Sequence, residues 1–169
     1  MTVNCLYRTP AEFDDLLLSF DEGILTGVHF LPAEQTGEAS GTPDVCIPAL
    51  RQTTDWLDRY FSGKVPGELP PFRLPQSTAF RQAVTERLLR IPYGKTVTYG
   101  ALAADLAAER GIPRMSAQAV GGAVGANPLC ILIPCHRVIG ANGRPVGYGG
   151  GIRNKIALLR LEGIAPGED

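Results

Sequence analysis

In 169 residues the chain has one tryptophan, two methionines and two histidines, and its four cysteines form no Cys-x-x-Cys pair. Each scarcity narrows the field. No apolar run approaches the ~20 residues that a bilayer-spanning helix needs, so no membrane function is expected. The stretch from Met1 to Asp15 lacks a basic cluster followed by apolar residues, and no secretory leader is read there. Without paired spacings, Cys5, Cys46, Cys130 and Cys135 are expected as reduced thiols of a cytoplasmic protein rather than as a disulfide framework. Cys5, His29 and Cys46 lack the spacing of a zinc site, and no metal is expected.

What is present is an ordinary globular composition, 44% hydrophobic and 20% charged, which supplies a core and argues against disorder. The length suits one domain or two small ones. A net charge of −1 argues at face value against nucleic acid. Divided along the chain, the charge says otherwise. Residues 1–75 hold 5 basic and 11 acidic residues, a net of −6, whereas residues 76–169 hold 11 and 6, a net of +5. Such polarity hints at a nucleic-acid face, with modest and salt-sensitive binding. The sign changes where Pro66, Pro70, Pro71 and Pro75 crowd residues 63–76, and proline at this density excludes helix and leaves extended connecting chain. Two domains are therefore expected, 1–75 with the connector 63–76 at its end, and 76–169.

In the first half, Leu16–Asp21 and Ile24–Leu31 read as a hairpin around Asp21-Glu22-Gly23, and 48–61 reads as a helix with Leu50, Leu57, Tyr60 and Phe61 inward. In the second half, Ser77 is the expected cap of a helix running to about Arg90. Thr98 caps a second, Tyr99 to Arg110, which stops at Gly111, and Ser116 caps a third, Ala117 to about Gly125. Short helices in series suggest a helix-turn-helix or winged-helix module. A last helix, Arg153 to Glu162, turns Ile156, Ala157 and Leu159 inward. The third helix carries three glycines, each costing about 1 kcal/mol against alanine. That is tolerable where another backbone or a nucleic acid comes close.

Chemistry concentrates in Asn127 to Arg137, Asn-Pro-Leu-Cys-Ile-Leu-Ile-Pro-Cys-His-Arg. Ile131–Ile133 reads as a short buried strand, and Pro134 stiffens the approach to Cys135. A free thiol near pKa 8.5 is only a few per cent thiolate at neutral pH, so a nucleophilic Cys135 needs a base or a positive environment. His136 is adjacent, but neighbours in extended chain point to opposite faces. Contact needs a turn that begins at Cys135; otherwise a water bridges the two. A buried cysteine beside a surface histidine is the plainer alternative, and His29 reads as a packed or capping histidine.

The run Ile-Pro-Cys-His-Arg-Val-Ile (133–139) is preceded by Asn127-Pro128 and followed by Gly147-Tyr148-Gly149-Gly150-Gly151 and Leu158-Leu159-Arg160-Leu161-Glu162-Gly163. With Ile91-Pro92-Tyr93-Gly94-Lys95-Thr96-Val97-Thr98-Tyr99-Gly100 and Ala119-Val120-Gly121-Gly122-Ala123, these blocks resemble the O6-alkylguanine-DNA alkyltransferases, strongly over 76–163. The resemblance implies a ribonuclease H-like α/β N-terminal domain (small sheet plus helix) and a mainly α, winged-helix-like C-terminal domain. It implies a cytoplasmic monomer that binds double-stranded DNA through the minor groove and repairs O6-alkylguanine, and O4-alkylthymine with it, once per molecule and without a cofactor.

On this resemblance Cys135 is the alkyl acceptor, His136 deprotonates it through a water, Glu162 orients the histidine and Asn127 braces the turn beneath. Tyr99 rotates the 3′ phosphate during base flipping, and Tyr148 walls the guanine pocket. The carbonyls of Cys135 and Val138 accept from the guanine amine, and Lys155 lies near the active-site loop. Two positions depart from the pattern. Gln118 stands where many members have an arginine that fills the gap left by the flipped base, with Arg114 nearby before the helix cap. Gly149 stands where some have a serine for O6, and its backbone N–H is a substitute. Three rivals stay open: a silent lesion binder, which would lack the acceptor cysteine; a Cys/His hydrolase, which would turn over; and a winged-helix regulator with Cys135 structural.

Overall fold

Alternating burial along the first residues of the chain builds a small sheet. A computed structural model describes residues 2–39 and 47–167, so Cys46 lies outside the described residues. Strands β1 (Thr2–Tyr7), β2 (Asp15–Asp21) and β3 (Ile24–Leu31) pair antiparallel in the order β1-β2-β3. Leu16, Leu18 and Phe20 of β2 face inward with Leu25, Val28 and Phe30 of β3. The expected hairpin closes through Glu22 and Gly23, both left-handed at φ 50° and 78°, the two-residue turn whose twist suits paired strands. Strand β1 has no counterpart among the sequence expectations, because Thr2, Asn4 and a lone buried Cys5 give it too weak an apolar alternation. His29 is exposed on β3, on the face away from the core, and not packed as expected.

Helix α1 (Pro48–Phe61) begins with proline at its first position, as its sequence implies. Its buried face is Ala49, Thr53, Trp56, Leu57 and Tyr60; Leu50 and Phe61 are only half-buried. Thr53 enters the core because its hydroxyl donates to the Ala49 carbonyl at 2.7 Å. The free edge of β3 is also paired. Arg73 N donates to Leu25 O at 2.9 Å, Val28 N to Pro128 O at 2.9 Å, and Cys130 N to Val28 O at 3.0 Å. Residues 128–132 thus belong to the unit that contains residues up to Pro75, while Gln76–Asn127 and Ile133 onward form the other. The division falls between Pro75 and Gln76, and residues 128–132 join the first unit because strand-edge amides are obliged to find partners.

The second unit contains α2 (Ala79–Leu89), β4 (Val97–Thr98), α3 (Tyr99–Arg110), α4 (Ala117–Gly125), β5 (Val138–Ile139) and α5 (Ile152–Leu161). Thr78, not Ser77, caps α2 by accepting from Arg81 N at 3.2 Å; Thr98 caps α3 and Ser116 caps α4 in the same way. Val84 and Leu88 of α2, Leu102 and Leu106 of α3 and Val120 and Val124 of α4 are buried, and α4 packs on both neighbours. The parallel pair β4–β5, Val97 opposite Val138, anchors the segment that follows Cys135. Helix α5 buries Asn154, Lys155, Leu158 and Leu159 in place of the expected Ile156 and Ala157, because both polar side chains reach carbonyls inside the unit.

Gly111 ends α3 at φ 68° with open space where a Cβ would stand. Gly111→Ala should therefore cost about 1 kcal/mol through backbone strain alone, measurable by urea unfolding.

Candidate active site

The route into Cys135 is a series of tight turns, not the expected strand. Leu132 N donates to Cys130 O at 2.9 Å across Ile131, which stands at φ 73°, a left-handed conformation costly for a β-branched residue. Cys135 N donates to Ile133 O at 2.8 Å across Pro134 (φ −80°, ψ 62°), a three-residue turn that proline's fixed φ favours. A 3-10 turn then runs from Cys135 to Arg137, with Arg137 N on Pro134 O at 3.0 Å. Every residue from Leu129 to Ile139 is buried, so the apolar run reflects burial and not extension. The turn that begins at Cys135 is the geometry that lets neighbouring side chains share one site.

Asn127, just past the end of α4, places one amide nitrogen between two acceptors. Its Nδ2 donates to the Ile133 carbonyl at 2.8 Å and to Cys135 Sγ at 3.1 Å. The first bond holds the turn and the second directs a positive dipole at the sulfur, favouring its anionic form. The Cys135 sulfur is thereby tied to the position of α4.

His136 is fully buried, and its Nε2 meets Glu162 Oε2 at 2.5 Å. The other carboxylate oxygen, Oε1, accepts from Gly94 N at 2.9 Å and from Arg137 Nε at 2.8 Å. Burial works against the Glu162 charge, yet the bonds from His136, Arg137 and Gly94 outweigh it and hold the carboxyl at about 2. Burial pushes the His136 imidazole below its usual range despite the carboxylate. Both directions favour an ionised glutamate beside an uncharged histidine.

Lys155 is also fully buried. Its ammonium donates to the carbonyls of Val138 at 2.6 Å, Gly147 at 3.1 Å and Val146 at 3.2 Å, so three donors meet three acceptors. It lies 5.6 Å from the Tyr99 ring centroid and 6.0 Å from that of Tyr148, within cation–π range. Burial lowers its pKa to about 8, with Cys135 pulling the other way. Tyr99, at the start of α3, directs its hydroxyl at Val146 O at 3.5 Å. Burial and the nearby sulfur push its phenol up. A Cβ on Gly121 would stand 4.0 Å from the Tyr99 ring, ordinary contact distance, so α4 lies alongside that ring.

The structure thus draws Cys135, His136, Asn127, Glu162, Lys155, Tyr99, Tyr148 and Val138 into one unit. Gln118 is exposed in the first turn of α4, as is Arg114 before its cap, and Gly149 is exposed in the loop before α5. Two contributors escaped the sequence: the Gly94 amide, which no side-chain pattern reveals, and Arg137. The signal for Arg137 was its place in the Cys-His-Arg run, where a buried arginine demands an acid.

Two outcomes follow. Asn127→Ala should slow modification of Cys135 by iodoacetamide at neutral pH about tenfold, the loss of one hydrogen bond to a charged atom. The depressed Glu162 value means that its carboxylate stabilises the fold above the ordinary glutamate range, and that this contribution fades as pH falls toward 2. Thermal melts should show the wild type losing stability across that window and Glu162→Gln losing less; parallel curves would contradict the pairing.

The chain is similar to known proteins over most of its length. Residues 79–164 match the family model of the 6-O-methylguanine DNA methyltransferase DNA-binding domain. A methylated-DNA–protein-cysteine methyltransferase of Mycobacterium tuberculosis is 44% identical over 161 residues, 92% of this chain and 91% of that protein. A Haemophilus influenzae protein of the same name is 34% identical over 166 residues, 96% and 89% respectively. The crystal structure of M. tuberculosis OGT in complex with DNA superimposes with a TM-score of 0.75 at 39% identity, covering 96% of this chain and 94% of that one. With the family model spanning half the chain and relatives spanning nearly all of it, the protein belongs to the methylated-DNA–protein-cysteine methyltransferases.

Proposed function

We propose that Cys135 is the cysteine to which this DNA-repair methyltransferase moves the alkyl group of O6-alkylguanine, and of O4-alkylthymine. The observation that carries the reading is a buried thiol that accepts from Asn127, one residue from a histidine held by an ionised Glu162. His136 takes the thiol proton through a water. The thiolate attacks the alkyl carbon in line with O6, a carbon–sulfur bond forms, the carbon–oxygen bond breaks, and the electron pair and a proton end on the base. A displacement of this kind requires no oxyanion hole. The product thioether is stable, and each molecule acts once.

Reaching O6 in a duplex requires extruding the nucleotide, with unstacking costing a few kcal/mol. The alanines and glycines of α4 suit close approach in the minor groove. Tyr99 meets the 3′ phosphate, Gln118 takes the space of the flipped base, and Tyr148 walls the pocket. The carbonyls of Cys135 and Val138 receive the guanine amine, with Val138 using the lone pair that Lys155 leaves. Gly149 offers its N–H toward O6. Lys155 shapes the loop around the base through its three carbonyls. We read the first unit as ribonuclease H-like, from its sheet and α1, and the second as winged-helix-like, from α3–α4 with the β4–β5 pair. The protein is taken to act as a monomer in the cytoplasm, where Cys135 stays reduced. No described helix is long and apolar enough to cross a membrane.

Incubation with duplex DNA containing O6-methylguanine should add the mass of one methyl group to Cys135 and then stop at one equivalent. Cys135→Ala should add none. Unchanged mass with retained lesion binding, or repeated turnover, would refute the assignment. Tyr99→Phe and Gln118→Ala should weaken transfer from duplex at least about tenfold more than from free O6-benzylguanine, the equivalent of roughly 1.4 kcal/mol spent on flipping. Equal losses on the two substrates would remove their flipping roles.

A further inference from the structure

Glu162 is a single buried carboxylate with two candidate cations, His136 and Arg137, and the division of labour between them decides whether His136 is a base. We propose that Arg137 is a positioning residue of the alkyl-transfer site: fixed on the Ile91 carbonyl and holding one oxygen of Glu162, it supplies the buried carboxylate with its counter-charge and leaves His136 an uncharged base for the thiol. The proposal rests on His136 serving Cys135, and adds the group that keeps it fit to do so.

The geometry is specific. Arg137 Nη1 donates to Ile91 O at 2.8 Å and Nε to Glu162 Oε1 at 2.8 Å, with the side chain only 10% exposed. The Tyr93 ring lies 5.7 Å from the guanidinium carbon. Gly94 N takes the same oxygen, Oε1, at 2.9 Å. Only Oε2 remains for the imidazole, which meets it through Nε2. An ionised carboxylate accepts and does not donate, so Nε2 carries the hydrogen and Nδ1 the lone pair. The tautomer needed to take up a proton is thus set by Nε2 facing a carboxylate that stays ionised, which Arg137 helps to keep so.

Charge counting gives the same answer. Arginine is always charged, so Arg137 and Glu162 together are neutral. A proton added to His136 would leave an excess positive charge in a buried site, with Lys155 of α5 also facing it. Burial, Arg137 and Lys155 all disfavour the imidazolium, and Glu162 alone favours it. Tyr93, on the loop after α2, faces Arg137 and Glu162 with its phenol pushed up by burial and by the carboxylate, so it adds no charge at neutral pH. Without Arg137 the carboxylate would take its counter-charge from His136. The histidine would then be protonated before it met the thiol proton. A lysine would keep the charge but not the fork that reaches Glu162 and Ile91 together.

The test is the pH dependence of transfer from free O6-benzylguanine to the full-length wild type, Arg137→Lys and Arg137→Met. The acid limb should move up by about one pH unit in Arg137→Met, stay near the wild-type position in Arg137→Lys, and the plateau should fall in both. An unshifted limb in Arg137→Met overturns the proposal, because a merely structural arginine changes stability and leaves the limb in place. Should Arg137→Met not fold, nitrogen NMR of wild-type His136 decides. A neutral ring with its hydrogen on Nε2 at pH 7 supports the proposal, and an imidazolium or an Nδ1-protonated ring overturns it. Absence of transfer to wild-type Cys135 would instead defeat the acceptor assignment, with the NMR result still judging Arg137.

Discussion

The Glu162 carboxylate ties together segments far apart in the chain. It lies at the C-terminal end of α5 and accepts from the loop after α2 through Gly94, from the 3-10 turn through Arg137, and from the imidazole of His136. A buried carboxylate costs several kcal/mol unless its lone pairs are met, and here each oxygen has a partner. The arrangement of α5, the turn and the loop at Gly94 follows from satisfying one acid, and Cys135 inherits its surroundings from that arrangement.

Lys155 does similar work about two turns earlier on α5. A loop rich in glycine presents carbonyls that have no strand to pair with, and the ammonium collects those of Val146 and Gly147 together with that of Val138 in β5. The cost is a buried charge whose pKa falls to about 8. What results is a loop with a defined shape, gathered on an ammonium that also lies within cation–π range of the rings of Tyr99 and Tyr148. Asn127 adds the third link, from the end of α4 to the sulfur. The end of α4 and the Cys135 sulfur are therefore parts of one hydrogen-bonded frame.

Local rules read from the chain served well where local forces decide. The turn at Glu22-Gly23, the proline at the start of α1, the caps Thr98 and Ser116 and the stop at Gly111 all depend on a few adjacent residues. They served less well where burial is arranged from a distance. Ile131–Ile133 is apolar because it is enclosed, and its backbone turns because Asn127 and the γ-turn bonds hold it. The inward face of α5 was misjudged because Asn154 and Lys155 are polar, and only the loop carbonyls they satisfy explain their burial.

The sequence by itself determined the hairpin, the main helices, the charge asymmetry and the Cys-His pair with its family blocks, since these are written in neighbouring residues and their spacing. The tertiary structure alone decided that residues 128–132 complete the first sheet's edge, that Arg137 shares Glu162 with His136, and that Lys155 turns inward to the loop. The reason is common to all three. A buried donor, acceptor or charge is satisfied by whatever the fold brings near, and the partner's distance along the chain carries no trace of the choice.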